Sequence, residues 1–140
     1  MKRIFYADDD FEDVEIFTEA VNALVDNVDI VPSATCEELL DNLEHRVPPR
    51  PDFVFLDLNM PKKSGQICLQ DIRRNPMLEG LRIIILSTSK SNSDIDSTFD
   101  DGANYFISKP TSLKGYKDVL TKVFAMPYRH KPTRENYVIN

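Results

Sequence analysis

Five short apolar runs, at Arg3–Ala7, roughly Val28–Pro32, Phe53–Leu58, Arg82–Leu86 and Tyr105–Ser108, alternate with five segments of helical period. This alternation constrains the fold more than any other feature, because strands separated by amphipathic helices pack as βα units around a parallel sheet. The third and fourth runs contain FVFLDL and RIIIL, continuously apolar as central strands covered on both faces are. Between the runs, Val14, Phe17, Val21 and Leu24 recur at spacings of 3, 4 and 3, which predicts a first helix over about Glu12–Val25 with one stripe on the sheet. Thr35 with Glu38 forms a capping box ahead of Leu39, Leu40 and Leu43. Ser64 caps a third helix that ends at Arg74, before Pro76. A fourth, polar helix is expected from about Ser93 to Asp101, closed by Gly102, and a fifth from about Ser112 to Ala125, burying Tyr116, Val119, Leu120 and Val123.

Length and charge narrow the partners. At 140 residues the chain fits one domain, expected over 1–126, with 127–140 as a C-terminal tail that shows little periodicity and is too short for an effector domain. A formal net charge of −6 with scattered Lys and Arg disfavours nucleic acid. No run nears the roughly 18 apolar residues of a membrane span, and MKRIFYADDD turns acidic before a signal peptide could form, so a soluble, cytoplasmic protein away from membranes is expected. Cys36 and Cys68 sit in no C-x-x-C pairing and have no nearby His, so core packing is expected rather than a disulfide or zinc site. His45 and His130 are read as solvated surface residues. The four glycines are never closer than 13 residues, which excludes a glycine-rich phosphate loop.

In open parallel sheets ligands bind at the carboxyl ends of the strands. Here those ends carry Asp8-Asp9-Asp10, Asp57, Ser87-Thr88 and Ser108-Lys109-Pro110. The apolar strand stops at Ala7, so Asp8 and Asp9 are assigned to the site and Asp10 to capping the next helix. Two carboxylates ~5 Å apart repel by about 3 kcal/mol at an effective dielectric of 20, so a cation must compensate. A hard oxygen set with two or three carboxylates suits Mg²⁺ better than Ca²⁺. A metal-bound carboxylate, an ammonium and a hydroxyl are what an incoming phosphoryl group requires, because its transition state spreads negative charge over three oxygens.

These residues closely resemble a response-regulator receiver domain of two-component signalling (CheY-like), of the stand-alone type. The resemblance covers about Arg3 to Phe124. It rests on the acidic pair after the first strand, the D-x-x-M-P-x-x-x-G stretch Asp57-Leu58-Asn59-Met60-Pro61-Lys62-Lys63-Ser64-Gly65, the Ser87-Thr88 step, and Gly102-Ala103 leading to Lys109-Pro110. It implies an α/β fold with a five-stranded parallel doubly wound sheet in flavodoxin-like order 2-1-3-4-5 and five helices. It implies Asp57 as phosphoacceptor and Asp9 as direct Mg²⁺ ligand, joined by Asp57 and by the Asn59 backbone carbonyl, with Asp8 acting through water. Ser87, with Thr88, and Lys109 would meet the phosphoryl oxygens, the Lys109-Pro110 bond would be cis, and Ser87 and Phe106 would form a switch in which Phe106 turns inward.

The implied function is phosphorylation-dependent signal relay. A histidine kinase or phosphotransfer protein supplies the phosphoryl group, and the surface of helix four, strand five and helix five changes to bind a downstream protein target. The chain is expected to act as a monomer or a phosphorylation-dependent homodimer. It would not be an enzyme beyond catalysing its own phosphoryl transfer and dephosphorylation. Two rival readings stand beside this one. A small Mg²⁺-dependent phosphatase with an aspartyl nucleophile, of the haloacid-dehalogenase type, would need a second Asp where Asn59 stands, and a receiver-like scaffold that is never phosphorylated would not need the acceptor residues present here.

Overall fold

The computed structural model describes residues 2–47, 49–127 and 132–140. In chain order it shows β1 (Lys2–Ala7), α1 (Phe11–Leu24), β2 (Val28–Ser33), α2 (Cys36–His45), β3 (Phe53–Asp57), α3 (Gly65–Arg74), β4 (Ile83–Ser87), α4 (Asn92–Asp100), β5 (Tyr105–Ser108), α5 (Leu113–Ala125) and β6 (Val138–Ile139). All neighbouring strands pair in parallel, in the order 2-1-3-4-5-6. The five-stranded doubly wound sheet expected from sequence is present, and the segment after α5 adds a sixth strand beyond β5. Two residues are too few to show a period-2 pattern, so this strand left no mark in the sequence. No helix of the described residues is long and apolar enough to cross a membrane.

Side chains alternate across the sheet. Phe5, Ala7, Val54, Leu56, Ile83 and Ile85 pack with α2, α3 and α4 on one face, while Ile4, Tyr6, Phe53, Phe55, Ile84 and Leu86 pack with α1 and α5 on the other. β3 and β4 are buried along their whole length, which is why their sequences run apolar without alternation.

Local chemistry starts each helix. Asp10 caps α1 by accepting from the Glu12 and Asp13 N–H groups, Thr35 caps α2 by accepting from Glu38 N–H, and Ser64 caps α3 by accepting from Ile67 N–H. Gly102 closes α4 with φ 96°, a left-handed conformation that glycine adopts without penalty. A Cβ on Gly65 would lie 2.0 Å from the Asp57 carbonyl oxygen. Glycine there lets the first turn of α3 press directly under the end of β3, with Gly65 N–H donating to Leu58 O at 2.9 Å.

Cys36 and Cys68 correct the sequence expectation. Both are fully buried, as expected, but they form a disulfide with Cα atoms 5.7 Å apart, joining α2 to α3. The helices lie side by side on one sheet face, which brings together two cysteines with a sequence separation of 32. His45 is exposed, and His130 lies outside the described residues.

Candidate functional site

β1 and β3 are neighbours in register, with Ala7 opposite Leu56. The residues that follow Ala7 therefore meet the end of β3. Asp8, Asp9 and Asp57 each offer a carboxylate oxygen within 4.8 Å of the others, with Asp8 and Asp57 buried and Asp9 exposed. The set is oxygen-only and open at Asp9, which suits a hard divalent cation that keeps some of its water.

Asp8 is held on several sides. Its carboxylate accepts from the Tyr6 hydroxyl at 2.5 Å, from the Asp10 N–H at 2.9 Å and from Lys109 Nζ at 2.9 Å. Burial, then the charge and hydrogen bond of Asp8, raise the Tyr6 pKa far above the ordinary phenol value, so this hydroxyl stays a donor.

Lys109 follows β5 and reaches back across the strand ends. Its side chain is 7 % exposed, and Nζ lies 2.9 Å from Asp8, 2.8 Å from Asp13 and 3.4 Å from Asp57. Burial pulls its pKa down, but the hydrogen bonds to Asp13 and Asp8 and the charges of Asp57 and Asp8 more than offset this, so it remains a cation. The Asp57 carboxyl is pushed up to about 7, first by burial and then by Asp8, against the lowering effects of Lys109 and the Asn59 N–H. An acidic group that resists ionisation beside two other carboxylates is one whose charged form added positive charge would favour.

Ser87, fully buried, ends β4 next to Ser108 of β5. Its carbonyl accepts from Lys109 N–H at 2.8 Å and its hydroxyl from Ser89 N–H at 3.0 Å. Thr88 and Asn59 are exposed at the loops beyond their strands. Asn59 N–H serves the Asp57 carboxylate.

Phe106 departs from the sequence expectation. Expected to turn inward as a switch, it is already fully buried. Tyr137, from the segment after α5, lies over it with ring centroids 6.2 Å apart, so an inward turn has no exposed starting point in this conformation.

Sequence reasoning missed two residues here. Asp13 was read only as part of the first helix, and Tyr116 only as buried surface of the fifth. The Tyr116 hydroxyl is buried without a hydrogen-bond partner among the described residues, and burial followed by the charge of Asp13 raises its pKa above the ordinary range. Asp13 follows the cap residue Asp10 by three, one helical turn on the same face, and that spacing is the signal that would have found it.

Residues 4–124 match the family model "Response regulator receiver domain". Response regulator Rcp1 of Synechocystis sp. is 35 % identical over 71 residues, 51 % of this chain and 48 % of that protein. Chemotaxis protein CheY-3 of Vibrio cholerae is 32 % identical over 73 residues, 52 % of this chain and 56 % of that one. The matched stretch thus spans about half the length of these curated relatives. Among solved structures, response regulator RPA3017 in red light signaling of R. palustris superposes with TM-score 0.81 at 27 % identity, covering 95 % of this chain and 99 % of that one. The phosphorylated cyanobacterial phytochrome response regulator RcpA gives 0.79 at 29 %, covering 87 % and 90 %. The Mn²⁺-bound form of Rcp1, at 21 % identity, shares the fold with TM-score 0.80 over 92 % and 99 %. A family match over most of the chain, these structural likenesses and an acidic pocket at the strand ends lead to one conclusion: this chain belongs to the response regulator receiver domain family.

Proposed function

We propose that the protein is a phosphorylation-dependent relay acting in the cytoplasm, with Asp57 as acceptor. The observation that carries this reading is the position of Asp57: a carboxylate 3 % exposed at the end of a buried strand, within 4.8 Å of Asp8 and Asp9 and 3.4 Å from Lys109 Nζ. An Asp57 oxygen attacks phosphorus of a phosphohistidine on a histidine kinase or phosphotransfer protein. The new O–P bond forms as the donor's P–N bond breaks, and the leaving imidazole recovers a proton from solvent. Asp8, Asp9, Asp57 and the Asn59 carbonyl would hold Mg²⁺, Asp8 through water. When bound, the ion supplies positive charge to phosphoryl oxygens. Lys109 and the Ser87 hydroxyl, with Thr88 beside it, receive the remaining oxygens.

The low-turnover reading is favoured over a phosphatase because Asn59 stands two residues after Asp57, where a phosphatase of this type would carry a carboxylic acid to protonate the leaving group. The output is a change of protein surface around α4, β5 and α5, read by a downstream protein or a second copy. The test is incubation with a small phosphodonor, with Mg²⁺ or with a chelator. One phosphoryl group per chain, gained only with Mg²⁺, supports the relay. Steady release of phosphate from many phosphoesters would instead establish the phosphatase, and no incorporation would establish the scaffold.

A further inference from the structure

Residues 132–140 are seated on the face formed by α4, β5 and α5. Val138 and Ile139 pair with Phe106 and Ile107, and Phe106 N–H donates to Tyr137 O at 3.0 Å. Tyr137 is fully buried. Its ring lies against Phe99 and Phe106, with centroids 5.2 and 6.2 Å away, and its hydroxyl donates to Thr98 Oγ1 at 2.7 Å. Arg134 Nε pairs with Asp96 of α4 at 2.9 Å, and Lys122 of α5 donates to the Asn140 carbonyl. Without this segment β5 would be an edge strand with a row of unpaired backbone groups.

A chain of hydrogen bonds connects this segment to the acidic pocket. Ser87 Oγ accepts from Ser89 N–H at 3.0 Å, and Ser89 Oγ meets Ser91 Oγ at 3.3 Å. Ser91 caps α4 by accepting from Asp94 N–H at 3.1 Å. The Asp94 carbonyl accepts from Thr98 Oγ1 at 2.8 Å, and Thr98 in turn accepts from Tyr137. The far end of α4 is tied to α3, where Gln66 and Gln70 donate to Asp101. Ser97 Oγ adds a bond to Gln66 Oε1 at 3.0 Å, so the first turn, with Asp94 held by the Ser91 cap, is the part of the helix not bonded to α3 by these side chains.

We propose that residues 132–140 are a built-in ligand of this face, displaced when Asp57 carries a phosphoryl group, so that the β5 edge opens to an extended segment of a partner protein. The inference rests on the relay reading above. As the Ser87 hydroxyl turns to a phosphoryl oxygen it loosens the Ser89–Ser91 cap, and the first turn of α4 shifts, moving the Asp94 carbonyl that orients Thr98 Oγ1 and so weakening the bond between Thr98 and Tyr137. The partner segment takes the chemistry the face already satisfies: a hydroxylated aromatic followed by two β-branched residues, with a cation three positions before the aromatic. By linkage, contacts that hold the segment down oppose phosphoryl capture to the same degree.

The test is amide exchange on the full chain with Mg²⁺ and beryllofluoride, beside binding of a fluorescent peptide with the sequence of residues 132–140 and intact mass after a small phosphodonor. Protection at 132–140 and at the Phe106 amide is expected to fall at least about tenfold on loading, and the peptide to bind the loaded chain roughly tenfold more tightly than the resting one. Tyr137→Ala should reproduce the loss of protection without beryllofluoride and speed phosphoryl capture. Arg134→Ala, at an exposed pair, should act in the same direction more weakly and keeps the test open if Tyr137→Ala fails to fold. Phosphorylation at Asp57 with unchanged protection across 132–140 would overturn the proposal and leave the relay intact. Retained protection in a dimer that has exchanged the segment between copies would also overturn it. No phosphoryl group on Asp57 would overturn the relay reading and this proposal together.

Discussion

Asp13 Oδ2 lies 2.8 Å from Lys109 Nζ across 96 residues of sequence. Of the three carboxylates within reach of that ammonium, Asp57 and Asp8 belong to the acidic cluster and Asp13 does not. On the proposed relay, an Asp57 oxygen becomes bonded to phosphorus and Asp8 would face the metal. Asp13 is then the partner that would hold Lys109 in place whether or not Asp57 carries a phosphoryl group.

Removing this anchor should slow phosphoryl capture while sparing the metal. Asp13→Ala is expected to lower the rate from a small phosphodonor about tenfold, about 1.4 kcal/mol, with Mg²⁺ affinity within roughly twofold. In a Lys109→Ala background the same change should have no further effect. Equal losses in both backgrounds would show that Asp13 serves only the helix, and recovery by Asp13→Glu would support positioning.

The raised pKa of Asp57 makes stability depend on pH. Between the ordinary carboxyl range and about 7, the folded metal-free chain binds a proton that the unfolded chain does not. The stabilisation is thus fully present below pH ~4 and lost as pH rises through 7. Denaturant unfolding without metal should show stability falling between pH 5 and pH 8, by on the order of 3 kcal/mol. Saturating Mg²⁺ or Asp57→Asn should flatten that slope. A metal-free stability that rises over this window would contradict the assigned electrostatics.

The disulfide between Cys36 and Cys68 closes a loop with a sequence separation of 32. In the chain-entropy account such a loop contributes about 3–4 kcal/mol, so urea unfolding with reductant should shift the midpoint down accordingly. Thiol labelling of the unfolded, unreduced protein should find no free cysteine. Two reactive thiols would contradict the pairing.

Gly65 has no room for a side chain, because the atom a Cβ would strike is backbone, the Asp57 carbonyl oxygen at 2.0 Å. Gly65→Ala should cost at least about 2 kcal/mol in denaturant unfolding and weaken Mg²⁺ binding, since relief requires moving the end of β3. Wild-type stability and metal affinity in this variant would show that the close approach is not needed.

The parts of this fold that were legible in the sequence are those set by local chemistry. Thr35, Ser64 and Asp10 cap their helices because a short oxygen-bearing side chain can reach backbone N–H groups two or three residues on. The apolar runs became strands because nothing else buries them. What escaped depends on contacts between distant segments. Tyr137 meets Thr98 across 39 residues, and no pattern in its neighbours marks it as core. Cys36 and Cys68 carry no spacing motif, and their pairing exists only because α2 and α3 share a sheet face. Asp13 was legible as a helix residue but not as a partner of Lys109, which depends on where β5 ends relative to β1.

Intact mass before and after a small phosphodonor with Mg²⁺ decides whether Asp57 is the acceptor. The wild-type chain should gain one phosphoryl group, lost again on standing or with hydroxylamine, as an acyl phosphate is. Asp57→Asn, folded by circular dichroism, should gain none. Full labelling of Asp57→Asn, or no labelling of the wild-type chain, would contradict the account.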